Sequence, residues 1–292
     1  MTVETIRHWH IGDVDVARIV EVNAYEDDIS MLLKDETPEF VKQHAWLRPH
    51  FATAAGQMII SFQAFVLRSR GKHVMIDTCI GRDRQREYDV FCNLKTSFLE
   101  DLAAAGFPPD SISAVLCTHL HFDHVGWNTQ LVNGHWVPTF PQARYLFGQQ
   151  EFDHWVHLRN TGGYHNFEHL HDAIDPVVAA GLVDYITPDY QVTDEVSLFP
   201  TPGHTPGHVS VLIRSRGEEA VITGDLMHHP IQLTEPLRHG NFDMDKVQAA
   251  LTRQAFVERF GNAKVLVIGS HFPDPTGGWI VRNGRGWKFV TE

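Results

Sequence analysis

The chain has 292 residues, of which 43% are hydrophobic and 11% aromatic, which is ample for a packed core and rules out a disordered chain. Its 36 acidic residues against 24 basic ones give a formal charge of −12, which argues against a surface built to neutralise nucleic-acid phosphates. No apolar run reaches the roughly 18–20 residues that span a bilayer, and the start, Met1 to His10, has no apolar stretch of the secretory kind, so a cytoplasmic protein without membrane contact is expected.

In chain order, Val14, Val16, Ile19, Val20 and Val22 predict an early strand over 14–22. A polar stretch near 26–28 leads to a short helix over 38–46, with Thr37 as its N-cap and Pro38 at the first helical position. Two β-rich runs, 59–67 and 73–76, flank 68–72 and predict a hairpin. Phe98, Leu99, Leu102, Ala103 and Ala105 keep helical spacing until Gly106 and Pro108-Pro109 stop it. Residues 112–117 read as a short strand buried on both faces. Further on come a strand at 144–147 and a helix at 149–158. Strands at 196–199, 209–213 and 220–222 follow, the last two joined by a Gly-Glu-Glu turn. Val247, Ala250, Leu251, Ala255 and Phe260 mark a long helix ending at Gly261. A buried strand at 265–268 precedes a closing hairpin over 280–289 that carries the turn signal Asn283-Gly284. Strands in both halves with helices between them suggest an α/β sandwich, two face-to-face sheets with helices outside, in a single domain over 1–292.

Cys79, Cys92 and Cys117 are odd in number and lack Cys-x-x-Cys spacing, which fits reduced thiols better than a disulfide framework or a thiolate zinc site. The 20 histidines exceed what a core needs. The decisive run is Thr118-His119-Leu120-His121-Phe122-Asp123-His124, directly after the predicted strand 112–117. His119 and His121 can point the same way while Leu120 and Phe122 return to the core, and Asp123 and His124 follow as the chain turns toward Gly126. Imidazole and carboxylate packed so closely suit a borderline divalent cation. Three later segments agree: Thr201-Pro-Gly-His204-Thr-Pro-Gly-His208, Val221-Ile-Thr-Gly-Asp225, and Val265-Leu-Val-Ile-Gly-Ser270-His271. Each donor stands just past a predicted strand, where loops from one sheet edge converge.

In this order these motifs resemble the metallo-β-lactamase fold superfamily, over about residues 59–271. The resemblance implies an αβ/βα four-layer sandwich and two divalent metal ions, zinc first and iron or manganese next. It assigns His119, His121 and His204 to one ion, Asp123, His124 and His271 to the other, and Asp225 to both. Asp77-Thr78-Cys79-Ile80-Gly81 matches a family turn in which Asp77 would orient ligand histidines, with Thr118, Thr201 and Ser270 as weaker supports. The implied reaction is attack by a metal-bridging hydroxide on a small ester-type substrate: a lactone, carboxyl ester or phosphotriester. Asp123 would shuttle the proton to the leaving group. Quorum-quenching lactonases carry a Tyr three residues after the bridging Asp, where this chain has His228 in Asp225-Leu-Met-His228-His229-Pro230. That run, with Gly126-Trp-Asn-Thr129 and Trp136-Val-Pro-Thr-Phe-Pro141, is more like methyl parathion hydrolase and chlorothalonil dehalogenase. His228 either donates a hydrogen bond to substrate or merely supports the site. Hydrolytic dehalogenation of a chlorinated aromatic and a glyoxalase II-like thioesterase are the alternatives. Nucleic-acid processing is disfavoured by charge, and a non-catalytic module by the intact ligand set.

Between the first motif and the next strand lies a stretch, 127–175, rich in aromatics (Trp127, Trp136, Phe140, Phe152, Trp155, Tyr164, Phe167) and histidines (His154, His157, His165, His169, His171). Its aromatics either form an apolar mouth over the ions or belong to the core. His169-Leu-His171-Asp172 imitates the metal motif without a strand before it, so a polar lid is the default reading. Residues 1–57 precede the match, and in related lactonases such an extension helps to build a homodimer.

Overall fold

The computed structural model describes residues 6–163 and 167–291. Residues 1–5 of the chain start, and Tyr164 and His165 of the aromatic and histidine-rich stretch, lie outside the described residues. Two seven-stranded sheets dominate. The first takes the strands β1 (Ile6–Ile11), β2 (Val14–Asp27), β3 (Met58–Ser69), β4 (Lys72–Ile76) and β5 (Ala114–Leu116). A separate small hairpin, β6 (Thr129–Val132) with β7 (His135–Pro138), comes before its last two strands, β8 (Arg144–Gly148) and β9 (Val183–Ile186). β1 to β4 are antiparallel neighbours, whereas β4, β5, β8 and β9 run parallel. The second sheet follows chain order: β10 (Gln191–Thr193), β11 (Val196–Pro200), β12 (Val209–Ser215), β13 (Glu218–Ile222), β14 (Val265–Ile268), β15 (Gly277–Asn283) and β16 (Gly286–Val290). Its one parallel pair is β13 with β14.

The period-2 alternation of the strands builds the layers. Val74 and Ile76 of β4 and Leu116 of β5 face inward, meeting Val209, Val211 and Ile213 of β12 and Ile222 of β13 between the sheets. Their sequence neighbours Met75 and Val115 face outward, under Phe98, Leu102, Trp127 and Trp155. On the other side Leu212, Val221 and Val267 point out beneath Phe256, Val257 and Phe260 of the helix Lys246–Phe260. Two sheets between two outer layers make the expected four-layer αβ/βα sandwich. The segment 28–57 also packs on the second sheet's outer face, through Ile29, Leu32, Val41, Leu47 and Phe51. Among the described residues no helix is long and apolar enough to cross a membrane.

The differences from expectation have local causes. The helix over 38–46 splits into Pro38–Lys42 and a 3-10 turn, Ala45–Leu47, and Thr37 makes no side-chain capping bond. The closing hairpin pairs Asn283 with Gly286, so Gly284 and Arg285 form its tip and the left-handed residue there is Gly284 (φ +60°). In the same way Glu218 and Glu219 belong to β13, and the turn before it rests on Arg216 and Gly217. β1, β9 and β10 carry too many polar or exposed residues for the alternation to announce them.

Candidate metal centre

Loops leaving one edge of both sheets come together. β5 ends at Leu116, and Thr118 then accepts a backbone hydrogen bond from Val209 at the start of β12 (3.1 Å). His271, just past β14, accepts from Ser61 of β3 (2.9 Å). These ties bring residues 119, 204, 225 and 271 to one place. His121 Nδ1 lies 3.0 Å from His119 Nε2 and 2.8 Å from His204 Nε2. His124 Nε2 lies 3.3 Å from His271 Nε2, and Asp123 Oδ2 is 3.6 and 3.5 Å from these two atoms. Asp225 stands between the groups. Its Oδ2 faces His119 Nε2 (3.7 Å) and His204 Nε2 (3.5 Å), while its Oδ1 faces His124 Nε2 (3.2 Å) and His271 Nε2 (3.1 Å).

The outward nitrogens explain what the inward ones are. His124 Nδ1–H donates to Asp77 Oδ2 (2.8 Å), His204 Nδ1–H to Asp243 Oδ1 (3.4 Å) and His271 Nδ1–H to the Ser61 carbonyl (3.0 Å). A neutral imidazole has one N–H, so each of these rings presents a lone pair to the centre. Neutral rings would therefore set lone pairs against lone pairs, and Asp225 Oδ1 has no hydrogen-bond partner of good geometry among the described residues. Ligands held tetrahedrally at about 2.0–2.1 Å from one ion stand roughly 3.3 Å apart, close to the spacings seen in each group. The residues present thus fit two divalent cations that share the Asp225 carboxylate.

Charge points the same way. Burial works against an ionised Asp225, yet the surrounding His124, His271, His228 and His119 hold its carboxyl well below the usual range. Burial also keeps His119 and His121 well below the ordinary histidine pKa. It opposes protonation of His124 and His271 as well, but there Asp225 and Asp123 win and raise both. Carboxylates in the cage therefore draw protons that a bound cation would replace.

Asp77 sits in the left-handed region (φ +57°) and accepts from the Thr118 N–H (2.7 Å) and hydroxyl (2.9 Å) as well as from His124. Thr118 Oγ1 in turn meets His119 Nδ1 at 3.1 Å. Ser270 touches the cage less: its N–H donates to Thr223 Oγ1 (3.2 Å) and its hydroxyl has no hydrogen-bond partner among the described residues. Thr201 acts through His208, whose Nδ1 lies 2.9 Å from Thr201 Oγ1 and whose Nε2 accepts the Asp225 N–H (2.8 Å). His228 joins the cage, with Nε2 3.2 Å from Asp225 Oδ2 and its ring against His204 (4.9 Å between centroids).

Sequence reasoning placed His208 in the motif without giving it a role, and it missed Asp243. His208 stands in the same Thr-Pro-Gly-His repeat as His204, and its signal is the Gly224 before the carboxylate: a Cβ there would lie 2.5 Å from His208 Nε2. Asp243, drawn down to about 2 by His204 and Arg253 against the effect of burial, reaches the site from a loop without regular structure and had no sequence signal.

The cage opens into a cavity of about 480 Å³. Among the described residues, none of the 127–175 stretch lines it. Trp127, Phe140 and Trp155 are buried in the outer core of the first sheet, Trp136 lies under the Arg84 guanidinium (4.1 Å to the ring), and Phe152 and Phe167 pack at the margin of that core. His169 is buried against Trp155 and His171 pairs with Asp175 (3.3 Å). The apolar wall comes instead from Tyr25, Met31, Leu32, Met58, Ile60 and Phe62, with Phe91, Phe122, Phe242 and Met244. Phe122 was expected to return to the core. It turns to the cavity because Phe91 (6.0 Å) and Tyr88 (6.5 Å) offer it an aromatic neighbourhood there.

The family described as "Metallo-beta-lactamase superfamily" matches residues 63–271. An N-acyl homoserine lactonase from Bacillus sp is 28% identical over 154 residues, 52% of this chain and 53% of the relative. A probable metallo-hydrolase, YybB, from Bacillus subtilis (strain 168) is 25% identical over 46% of this chain and 54% of the relative. The chain thus spans about half the length of the curated relatives it matches. Among solved structures, AidC, a dizinc quorum-quenching lactonase in complex with a product, superposes with a TM-score of 0.80 at 20% identity over 98% of this chain and 97% of that one. The hydrolase AbOPH gives 0.81 at 23% identity over 100% and 99%. At that identity the two structures establish the fold.

Proposed function

Because this chain belongs to the metallo-β-lactamase superfamily, we propose that it is a dinuclear metal hydrolase acting on a small, uncharged ester-type bond in a lactone, carboxyl ester or phosphotriester. His119, His121 and His204 hold one ion, Asp123, His124 and His271 the other, and Asp225 both. The observation that carries the reading is the division of Asp225, one oxygen toward each histidine group. When bound, such an ion pair lowers the pKa of a shared water and polarises the bond that the water attacks.

The chain's own residues do the rest. Asp123, whose side chain is 12% exposed and lines the cavity, is placed to carry a proton to the leaving group. His228 lines the cavity with Nε2 3.2 Å from Asp225 Oδ2; with that carboxylate engaged by the ions, its ring is the group we assign to hydrogen-bond a substrate oxygen. Asp77, Asp243 and the Ser61 carbonyl keep three ligand rings turned inward. The wall of Phe62, Phe91 and Phe122 excludes water and receives the apolar part of the substrate.

Charge narrows the substrate. Asp27 and Glu87 line the cavity, and no Lys or Arg does so among the described residues. Apart from the ions themselves, anionic phosphates and anionic thioesters would therefore find no cationic side chain along the cavity wall among the described residues. That favours neutral esters over the thioesterase alternative. The lactonase names of the relatives support a lactone within this class. Zinc is our choice of ion, because the donors are mostly imidazole. The cytoplasm is our choice of compartment, on the free thiols Cys79, Cys92 and Cys117. A homodimer is kept as part of the reading; the exposed apolar Leu237, Val247 and Leu251 offer surface for it, and a solution mass near 33.1 kDa would refute it.

One observation favours a second reading, hydrolytic dehalogenation. Phe91 lies 4.9 Å from Phe62 and 5.5 Å from Tyr25, a set of rings that would also seat a chlorinated aromatic. Metal-analysed protein offered lactones, aryl esters, phosphotriesters and chlorinated aromatics separates the two. Release of acid or phenol is expected. Chloride release alone would transfer the assignment to the second reading, and inertness toward the whole panel would end both.

A further inference from the structure

Glu151 is buried, with 1% of its surface exposed, in the first turn of the helix Gln149–Thr161. A carboxylate buried this far is costly unless its oxygens are satisfied. Here Oε1 accepts from the backbone N–H of Leu120 (3.2 Å) and from the indole N–H of Trp155 (2.8 Å), and Oε2 accepts from the backbone N–H of Gly207 (3.0 Å). Leu120 stands between His119 and His121, and Gly207 lies in the loop that carries His204. One carboxylate therefore joins the two loops that bear the first histidine group, from outside the cage. The contact is tight, since a Cβ on Gly207 would fall 2.5 Å from the backbone nitrogen of Glu151. Trp155, fixed by the same oxygen, sets its ring edge-on to His121 (5.3 Å between centroids, 77°). The second group has other anchors, Asp77 for His124 and the Ser61 carbonyl for His271.

We infer that Glu151 is a positioning residue for one ion of the pair: it sets the mutual placement of His119, His121 and His204, whereas the other group, although Asp123 and His124 follow on the same loop, is held by Asp77 and the Ser61 carbonyl. This rests on the dinuclear reading above. Glu151→Gln keeps the shape but turns an amide N–H₂ toward one of the three donors, so one loop loses its tie.

The test measures Zn²⁺ affinity by chelator competition in two backgrounds. His271→Ala leaves only the first group complete, and His204→Ala only the second. Glu151→Gln should weaken binding about 10- to 100-fold in the first background, as loss of an outer hydrogen bond to a ligand set does, and leave the second within about twofold. A residue that merely stabilised the fold would lower both alike, and that result, or no change in either, overturns the inference. Should Glu151→Gln fail to fold, Trp155→Phe removes one donor while keeping an aromatic ring. It should show the same split at about fivefold, and its absence counts equally against us. Failure of the unsubstituted protein to bind any zinc would instead refute the dinuclear reading.

Discussion

Residues 119–124 and 169–172 are spelled almost alike, His-Leu-His-Phe-Asp-His against His-Leu-His-Asp, and they end in opposite states. The first follows β5, at the edge where the loops of both sheets meet, and its side chains turn toward three further loops. The second lies on a π-helical segment, Leu170–Ile174, which scatters its donors. His169 goes inward against Trp155 (4.9 Å), and the His171 side chain is 67% exposed and pairs with Asp175. Asp172 is taken by Arg84 Nη1 (2.6 Å) and Arg86 Nη1 (2.7 Å). Donor letters do not make a metal site. A strand end does, because it presents alternate residues to one side and brings other loops within reach.

The comparison can be broken first at the cage. Asp225→Ala should remove both ions and turnover together, the largest effect expected here, and His204→Ala should remove the ion of the first group together with turnover; full activity without metal would refute both ligand groups. At the imitating run the loss should be one of stability, with no loss of metal. Asp172→Asn leaves Arg84 and Arg86 buried without their carboxylate and should cost about 3–5 kcal/mol in urea unfolding, with ion content unchanged. A fall in ion content would mean that the two regions are not separate.

His169 gives a smaller effect with a definite sign. Burial, then Arg86 and His171, lower its pKa to about 3, against about 6.5 when the chain is unfolded. Between these values the unfolded chain binds the extra proton. Its contribution to stability is therefore complete above pH 6.5 and is lost as pH falls toward 3. Relative to His169→Gln, wild type should lose about 2 kcal/mol between pH 7 and pH 5, read from urea midpoints. Parallel curves for the two proteins would show that His169 is not held neutral. The smallest change is expected at His171→Ala, which removes an exposed ion pair and should move stability by under about 1 kcal/mol.

Much of this difference was legible in the sequence. The strands before His119, Asp225 and His271 announce themselves by unbroken apolar runs, and the strand-end rule then separates the true motif from its imitation. What the sequence could not show depends on contacts far apart in the chain. Glu151 reads as an ordinary acidic residue in a helix's first turn until Leu120 and Gly207 are seen beside it. Asp243 has no periodic context at all. The cavity wall was sought among the aromatics of 127–175, whose abundance is equally that of an outer core, whereas Tyr25, Phe62 and Phe91 come from segments whose position is set only once the sheet is formed.

Elemental analysis tests the central difference most directly, applied to the fully loaded protein and to a His169→Gln/His171→Gln variant after removal of free metal. Two ions per 33.1 kDa chain are predicted for both proteins. One ion or none in the unsubstituted chain, or a lower count in the variant alone, would contradict the account.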